Sequence, residues 1–310
     1  MEPTKTILVP VDFEAASMAA LRTAVEQARR ADAKVVLVHS FSVPPYVYRG
    51  ISESLLKTIR QQARDAALRP LDDLKSRWDV ETLLREGDPA LQILRAAKEV
   101  HADRIVMGTH GHRGFDRVMF GSVAEVVIRK SRVPVMVVRP DEGPVPPRKG
   151  QPVVLCATDC LPGSHRVLEL AAAFAQEIGG TLEIVHTYAV PFYVYPGFDP
   201  VLAGQLDVEL ARSATRTVEV LAEQFSAARH HVRAGEPGRT ILEVAKEVKP
   251  AAVVMGTHGR RGLGRLFLGS VAEWVLRRSP FPVLTTHVTS DAEFAEADAR
   301  TEMEAPAGAA

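Results

Sequence analysis

Val106-Met107-Gly108-Thr109-His110-Gly111 is written a second time as Val254-Met255-Gly256-Thr257-His258-Gly259, and 106–135 match 254–283 at 19 of 30 positions without a gap. Working outward, an offset of 147 or 148 pairs Asp12 with Asp159, His39 with His186, Pro44 with Pro191, Tyr46 with Tyr193, Tyr48 with Tyr195, Gly87 with Gly235 and Pro89 with Pro237. The chain is therefore an internal duplication with a unit of about 140 residues, long enough for one copy to enclose its own core. Residues 1–140 form the first expected domain and 151–288 the second. Between them, 141–150 is proline- and glycine-rich and reads as a stiff linker. Residues 289–310 are acidic and alanine-rich, and are expected to be a flexible tail.

Within each copy, short β-branched runs alternate with longer amphipathic stretches, the pattern of an α/β fold whose parallel sheet is covered by helices. Strands are expected at 6–11, 34–39, 80–84, 104–107 and 134–139, and again at 152–157, 181–186, 229–232, 252–255 and 282–286. Continuous apolar runs such as Val35-Val36-Leu37-Val38 suit strands buried on both faces. Helix starts are expected at Asp88-Pro89, and at Ser122 and Ser270, each with a glutamate three residues on in the manner of a capping box.

The 310 residues carry 38 basic and 38 acidic side chains, so a wholesale electrostatic grip on nucleic acid or an acidic membrane is not expected. No apolar run approaches the ~20 residues that cross a bilayer. The two cysteines, Cys156 and Cys160, suit a reducing compartment, and a cytoplasmic location is expected. Their spacing has no metal-site pattern, and they read as reduced, packed thiols. His110-x-His112 loses one histidine to Arg260 in the second copy, which argues against a metal there.

Chemistry concentrates where the fourth strand of each copy leads into a helix. Gly108, Gly111, Gly121 and Ser122 recur with identical spacing as Gly256, Gly259, Gly269 and Ser270. On one reading, the glycines shape a turn and the serines cap a helix. On the other, the glycines let backbone approach a ligand, and the helix N-terminus, with its partial positive charge, holds phosphate. Duplication with unchanged spacing favours the second. Arg113 and Arg117, with Arg261 and Arg265, either neutralise phosphate there or are simply solvated. The tyrosines of 43–48 and 190–195 read first as packing residues and second as a lid. No Gly-x4-Gly-Lys-Ser/Thr loop occurs, and neither glycine segment contains a lysine.

With these motifs, the chain resembles a tandem universal stress protein, whose nucleotide signature Gly-x2-Gly-x9-Gly-Ser/Thr stands intact in both copies. The resemblance implies two tandem Rossmann-like, doubly wound domains, each a five-stranded parallel sheet of order 3-2-1-4-5 with ATP beside the ends of strands one and four. Such crevices, where strand order reverses, are the general ligand position in open parallel sheets. It further implies that Asp12 and Asp159 serve the adenine and ribose end, and that Val11 and Thr158 offer backbone groups to adenine. An N-cap role for the two aspartates is the alternative. Gly108, Gly111, Gly121, Ser122 and Val123, with Gly256, Gly259, Gly269, Ser270 and Val271, would hold the triphosphate, Mg²⁺ being carried by the phosphates themselves. Pro10-Val11 follows the family pattern, whereas Ala157-Thr158 departs from it.

The function expected on this basis is a non-enzymatic, ATP-binding stress regulator. A slow ATPase or self-phosphorylating protein, and a nucleotide-independent interaction module, are the alternatives. The order 3-2-1-4-5 leaves each fifth strand at an edge, and Pro134–Val138 and Pro282–Thr286 carry no charge to protect it. The two halves are therefore expected to pair through these strands as an intrachain pseudo-dimer, with a homodimer on other surfaces left open.

Overall fold

Thr6–Pro10 (β1) and Lys34–Phe41 (β2) lie parallel, Thr6 opposite Lys34 and Pro10 opposite Val38. From this pair the first half builds outward in a computed structural model that describes residues 4–43, 51–109, 121–140, 150–161, 163–189, 200–257 and 268–287. Glu81–Glu86 (β3) pairs with β2, Arg104–Gly108 (β4) with β1, and Val135–Val138 (β5) with β4, all parallel. The second half repeats the scheme with Val153–Thr158 (β6), Thr181–Tyr188 (β7), Arg229–Ala234 (β8), Ala252–Gly256 (β9) and Val283–Thr286 (β10). Parallel neighbours require crossovers, supplied by Ala15–Ala31 (α1), Glu53–Arg77 (α2), Pro89–Glu99 (α3) and Ser122–Lys130 (α4). Their counterparts are Ser164–Glu177 (α5), Pro200–Gln224 (α6), Pro237–Val248 (α7) and Ser270–Arg278 (α8).

The halves meet through β5 and β10, which pair antiparallel with Val283 opposite Val137, Leu284 opposite Met136 and Thr285 opposite Val135. One ten-stranded sheet results, in the order β3-β2-β1-β4-β5-β10-β9-β6-β7-β8. The seam lies where the uncharged edges predict it, and Thr285 Oγ1 donates to Val135 O across it at 3.1 Å.

Alternation along each strand sends side chains to opposite faces. Ile7, Val9, Met136, Cys156 and Leu284 lie in one apolar cluster under α1, α2, α5 and α6, whereas Leu8, Val137, Leu155 and Val283 lie in the other, under α3, α4, α7 and α8. Each cluster runs through both halves, so the expectation of a core closed within each copy is corrected. Antiparallel pairing sets Met136 beside Leu284 on one face and Val137 beside Val283 on the other, and this fuses the cores across the seam.

The strands differ from expectation by one or two residues at their ends, β2 and β7 running two residues further and β3 and β8 ending two later. Asp88 does cap α3, accepting from Leu91 N–H at 2.8 Å. Pro70 sits inside α2 without ending it, in a stretch that buries Ala67, Leu71 and Leu74. No helix among the described residues is long and apolar enough to cross a membrane. Gly111, Gly259, His110, His112, His258, Arg113, Arg117, Arg261, Arg265, the tyrosines of 46–48 and 193–195, the linker 141–149 and the tail 289–310 lie outside the described residues.

Candidate functional site

The carboxyl end of β1 carries Val11 and Asp12, and that of β6 carries Thr158 and Asp159. Asp12 Oδ1 accepts from Ser17 Oγ at 2.5 Å and from Glu14 N–H at 3.0 Å. Asp159 Oδ1 accepts from Ser164 Oγ at 2.6 Å and from Leu161 N–H at 3.2 Å. Both are turn-forming aspartates whose carboxylate is steered by a buried serine five residues on. Neither caps a helix, since the N-cap positions of α1 and α5 are Glu14 and Gly163. The residue after each aspartate takes a left-handed backbone, Phe13 at φ 67° and Cys160 at φ 60°. Non-glycine residues pay about 1 kcal/mol for this, which the tight exit from the strand imposes.

Val11 is less available than the sequence suggested. Its N–H donates to Val38 O at 2.9 Å, and its carbonyl lies 2.7 Å from Nδ1 of His39. The N–H is thus spent inside the sheet, so of the backbone groups that Val11 could offer to adenine the carbonyl remains, with its second lone pair. The other half repeats the contact, with His186 Nδ1 at 2.8 Å from Thr158 O. His39 and His186 are therefore part of the site's frame, fixing the strand exit by a ring-to-carbonyl bond. The duplication register pairs them, but without a motif around them nothing in the sequence marks them for this role. Phe13 packs on the His39 ring with centroids 4.7 Å apart, while Cys160 Sγ stands 3.4 Å from His186 Nδ1. Burial, with nearby Cys160 adding to it, pushes the Cys156 thiol well above the usual thiol range, so it stays protonated.

Gly108 ends β4 against α1. A Cβ built there would stand 2.3 Å from Ala16 C and 2.4 Å from Ala16 O. The missing side chain is thus filled by helix backbone, which gives this glycine a packing role of its own. The same contact brings the end of β4 beside Ser17 and therefore beside Asp12.

Gly121 and Gly269 are the N-cap residues of α4 and α8, with near-identical backbones (φ −60°, ψ 135° and φ −59°, ψ 140°) and no side-chain cap bond. Ser122 and Ser270 are already helical and exposed, so the expected capping boxes do not form. The extended glycine takes the cap position and moves each serine one place inward, from where its hydroxyl no longer reaches back to cap its own helix. By contrast, α3 and α7 are capped by Asp88 and Glu236. First-turn N–H groups with no side-chain cap among the described residues, and a serine hydroxyl, are what an anion can use. In the second half, Gly269 N–H donates to Thr257 O at 2.7 Å, so the segment between β9 and α8 begins and ends at one point. Val123 and Val271 follow in the first turns, and Gly256 ends β9 as Gly108 ends β4. Among the described residues no three His, Cys, Asp or Glu side chains group as metal ligands.

A parallel sheet in each half whose strand order reverses between β1 and β4, and between β6 and β9, defines a Rossmann-like α/β protein. Residues 3–139 and 152–287 each match the Universal stress protein family, and the chain belongs to that family. It is 28% identical over 289 residues to a universal stress protein of Mycolicibacterium smegmatis, covering 90% of this chain and 95% of that one. A universal stress protein of Methanocaldococcus jannaschii is 34% identical over 140 residues, 44% of this chain and 82% of its own length. In structure, a universal stress protein from Archaeoglobus fulgidus superposes with a TM-score of 0.64 at 22% identity, covering 91% of this chain and 96% of that one.

Proposed function

We propose that each half binds an adenine nucleotide, ATP with its Mg²⁺, at the carboxyl end of the sheet, and that occupancy acts on stability and partner contacts without turnover. In this reading Asp12 and Asp159 accept from the ribose or the adenine amine, and the Val11 and Thr158 carbonyls border the base. Gly121, Ser122 and Val123, with Gly269, Ser270 and Val271, meet the phosphates together with Gly111 and Gly259. The observation that carries the reading is the pair of uncapped glycine-serine helix starts with near-identical backbone angles. A helix N-terminus whose side-chain cap is missing favours an anion in its place.

The regulatory step is linkage. A ligand that binds only the folded chain stabilises it by about 2.7 kcal/mol per site at a hundredfold excess over Kd, and unequal affinity for two conformations shifts their populations. No lysine of the kind a Gly-x4-Gly-Lys-Ser/Thr loop supplies for phosphoryl transfer occurs in 108–122 or 256–270. Titration calorimetry with Mg-ATP is expected to give two nucleotides per chain, with no steady-state phosphate release. A stoichiometry near zero overturns the proposal, a value near one singles out the altered Ala157-Thr158 crevice, and sustained turnover replaces the regulator with an ATPase.

A further inference from the structure

At the seam, Arg104 of β4 reaches the end of α5 in the other half. Its Nη1 and Nη2 donate to Glu177 Oε1 and Oε2 at 3.0 and 2.8 Å, a two-pronged pair with side chains only 4% and 11% exposed. Thr4 Oγ1 donates to Glu177 Oε2 at 2.8 Å, Gln27 Oε1 accepts from Arg104 at 2.9 Å, and the guanidinium carbon lies 4.8 Å from the centroid of Phe174. The register of the duplication gives each group its counterpart in the opposite half. Position 104 corresponds to Ala252, position 177 to Arg30, and position 174 to Gln27. Arg30 also stands at the seam, its Nη1 donating to Ile178 O at 3.3 Å.

We propose that this cluster is a one-way charge pattern that makes the first half complementary to the second half and to no copy of itself, so that the chain closes within itself rather than linking to a second chain through its fifth strands. A two-fold interface must be self-complementary. Two first halves would set Arg104 against Arg30, cation against cation. Two second halves would set Glu177 against Ala252, leaving a buried carboxylate without its cation, which is costlier still. Only the mixed pair gives the buried Arg104 a carboxylate and the buried Glu177 a cation, while Arg30, opposite Ala252, keeps Glu26 of its own helix. Arg139 donates to Arg277 O, and its counterpart His287 lies 3.0 Å from Ile128 O, so each half reaches a carbonyl near the end of the other's last helix and these contacts do not discriminate; the Thr285–Val135 bond is made once but sets no like charges together. Selection against the wrong partner therefore rests on the asymmetric cluster.

Full-length single variants distinguish this from a merely structural ion pair. Arg104→Glu and Glu177→Arg are each expected to lower the thermal midpoint by roughly 5–10 °C, because each sets like charges together. Their sedimentation should differ. Arg104→Glu offers a carboxylate to Arg30 of a second chain and is expected to dimerise with rising concentration, whereas Glu177→Arg creates no such pair and stays monomeric. Adding Arg30→Ala to Arg104→Glu should abolish the dimer, and combining Arg104→Glu with Glu177→Arg should restore both midpoint and monomer. Equal association by the two single variants, a dimer that survives Arg30→Ala, or a double variant no more stable than the singles overturns the proposal.

Discussion

The two halves agree where the sheet ends and disagree along its flanks. Both keep an aspartate held by a serine five residues later, a histidine bonded to the carbonyl before it, and an uncapped glycine-serine helix start. In the outer strands, by contrast, the buried Val36 of the first half becomes Glu183 in the second, and Leu83 becomes His231. Glu183 Oε2 and His231 Nε2 lie 2.7 Å apart with side chains 8% and 16% exposed. The contrast separates two kinds of constraint. Apolar packing accepts a polar pair in its place if the pair satisfies itself, whereas the strand exits keep their hydrogen-bonded aspartate, serine and histidine while the residues beside them change.

The largest effect is expected at the seam, where the halves stop being separate. Val137→Lys with Thr285→Lys buries two cations where there is now an apolar residue and a bonded hydroxyl. A loss of several kcal/mol is expected, with an increased hydrodynamic radius and dye-binding apolar surface. Unchanged thermal midpoint and radius would mean that the halves hold together without this seam.

Gly108→Ala comes next, because the new methyl group would collide with the α1 backbone rather than with a mobile side chain. A cost of about 3 kcal/mol is expected from urea denaturation, at the upper end of overpacking. A cost below about 1 kcal/mol would show that α1 can back away.

Making the second half like the first tests the flank. His231→Leu alone strands the buried Glu183 and is expected to cost about 3 kcal/mol. Adding Glu183→Val should recover most of it, because replacing both partners of a buried hydrogen-bonded pair by apolar groups of similar volume is nearly neutral. If the double variant is as unstable as the single one, the pair has a further partner.

The smallest effects on folding belong to the helix starts. Gly121→Val or Gly269→Val is expected to remove nucleotide binding from its own half, since a branched side chain would occupy the phosphate space and narrow the backbone choice at the cap. Ser122→Ala should weaken binding in the first half by no more than about tenfold, because the helix N–H groups remain. Calorimetry reads both. Full affinity in a folded valine variant would move the phosphates elsewhere.

What the sequence by itself determined is the part fixed by local chemistry and repetition. Nineteen identities in 30 positions establish the duplication, β-branched runs locate all ten strands to within two residues, and Asp88-Pro89 marks a capped helix. The uncharged fifth strands foretell the seam, because an unprotected edge needs a partner. Tertiary structure alone decided what depends on residues brought together from afar. Gly108 is glycine because α1 packs on it, Ser122 stands inside α4 because Gly121 takes the cap, and the Val11 N–H is consumed by Val38. His39 and His186 bond to carbonyls 28 positions away in the chain, and Arg104 meets a carboxylate 73 positions away. Spacing along one chain records periodicity and turns, but burial and hydrogen-bond satisfaction are properties of neighbours in space, and those are fixed only when the sheet has closed.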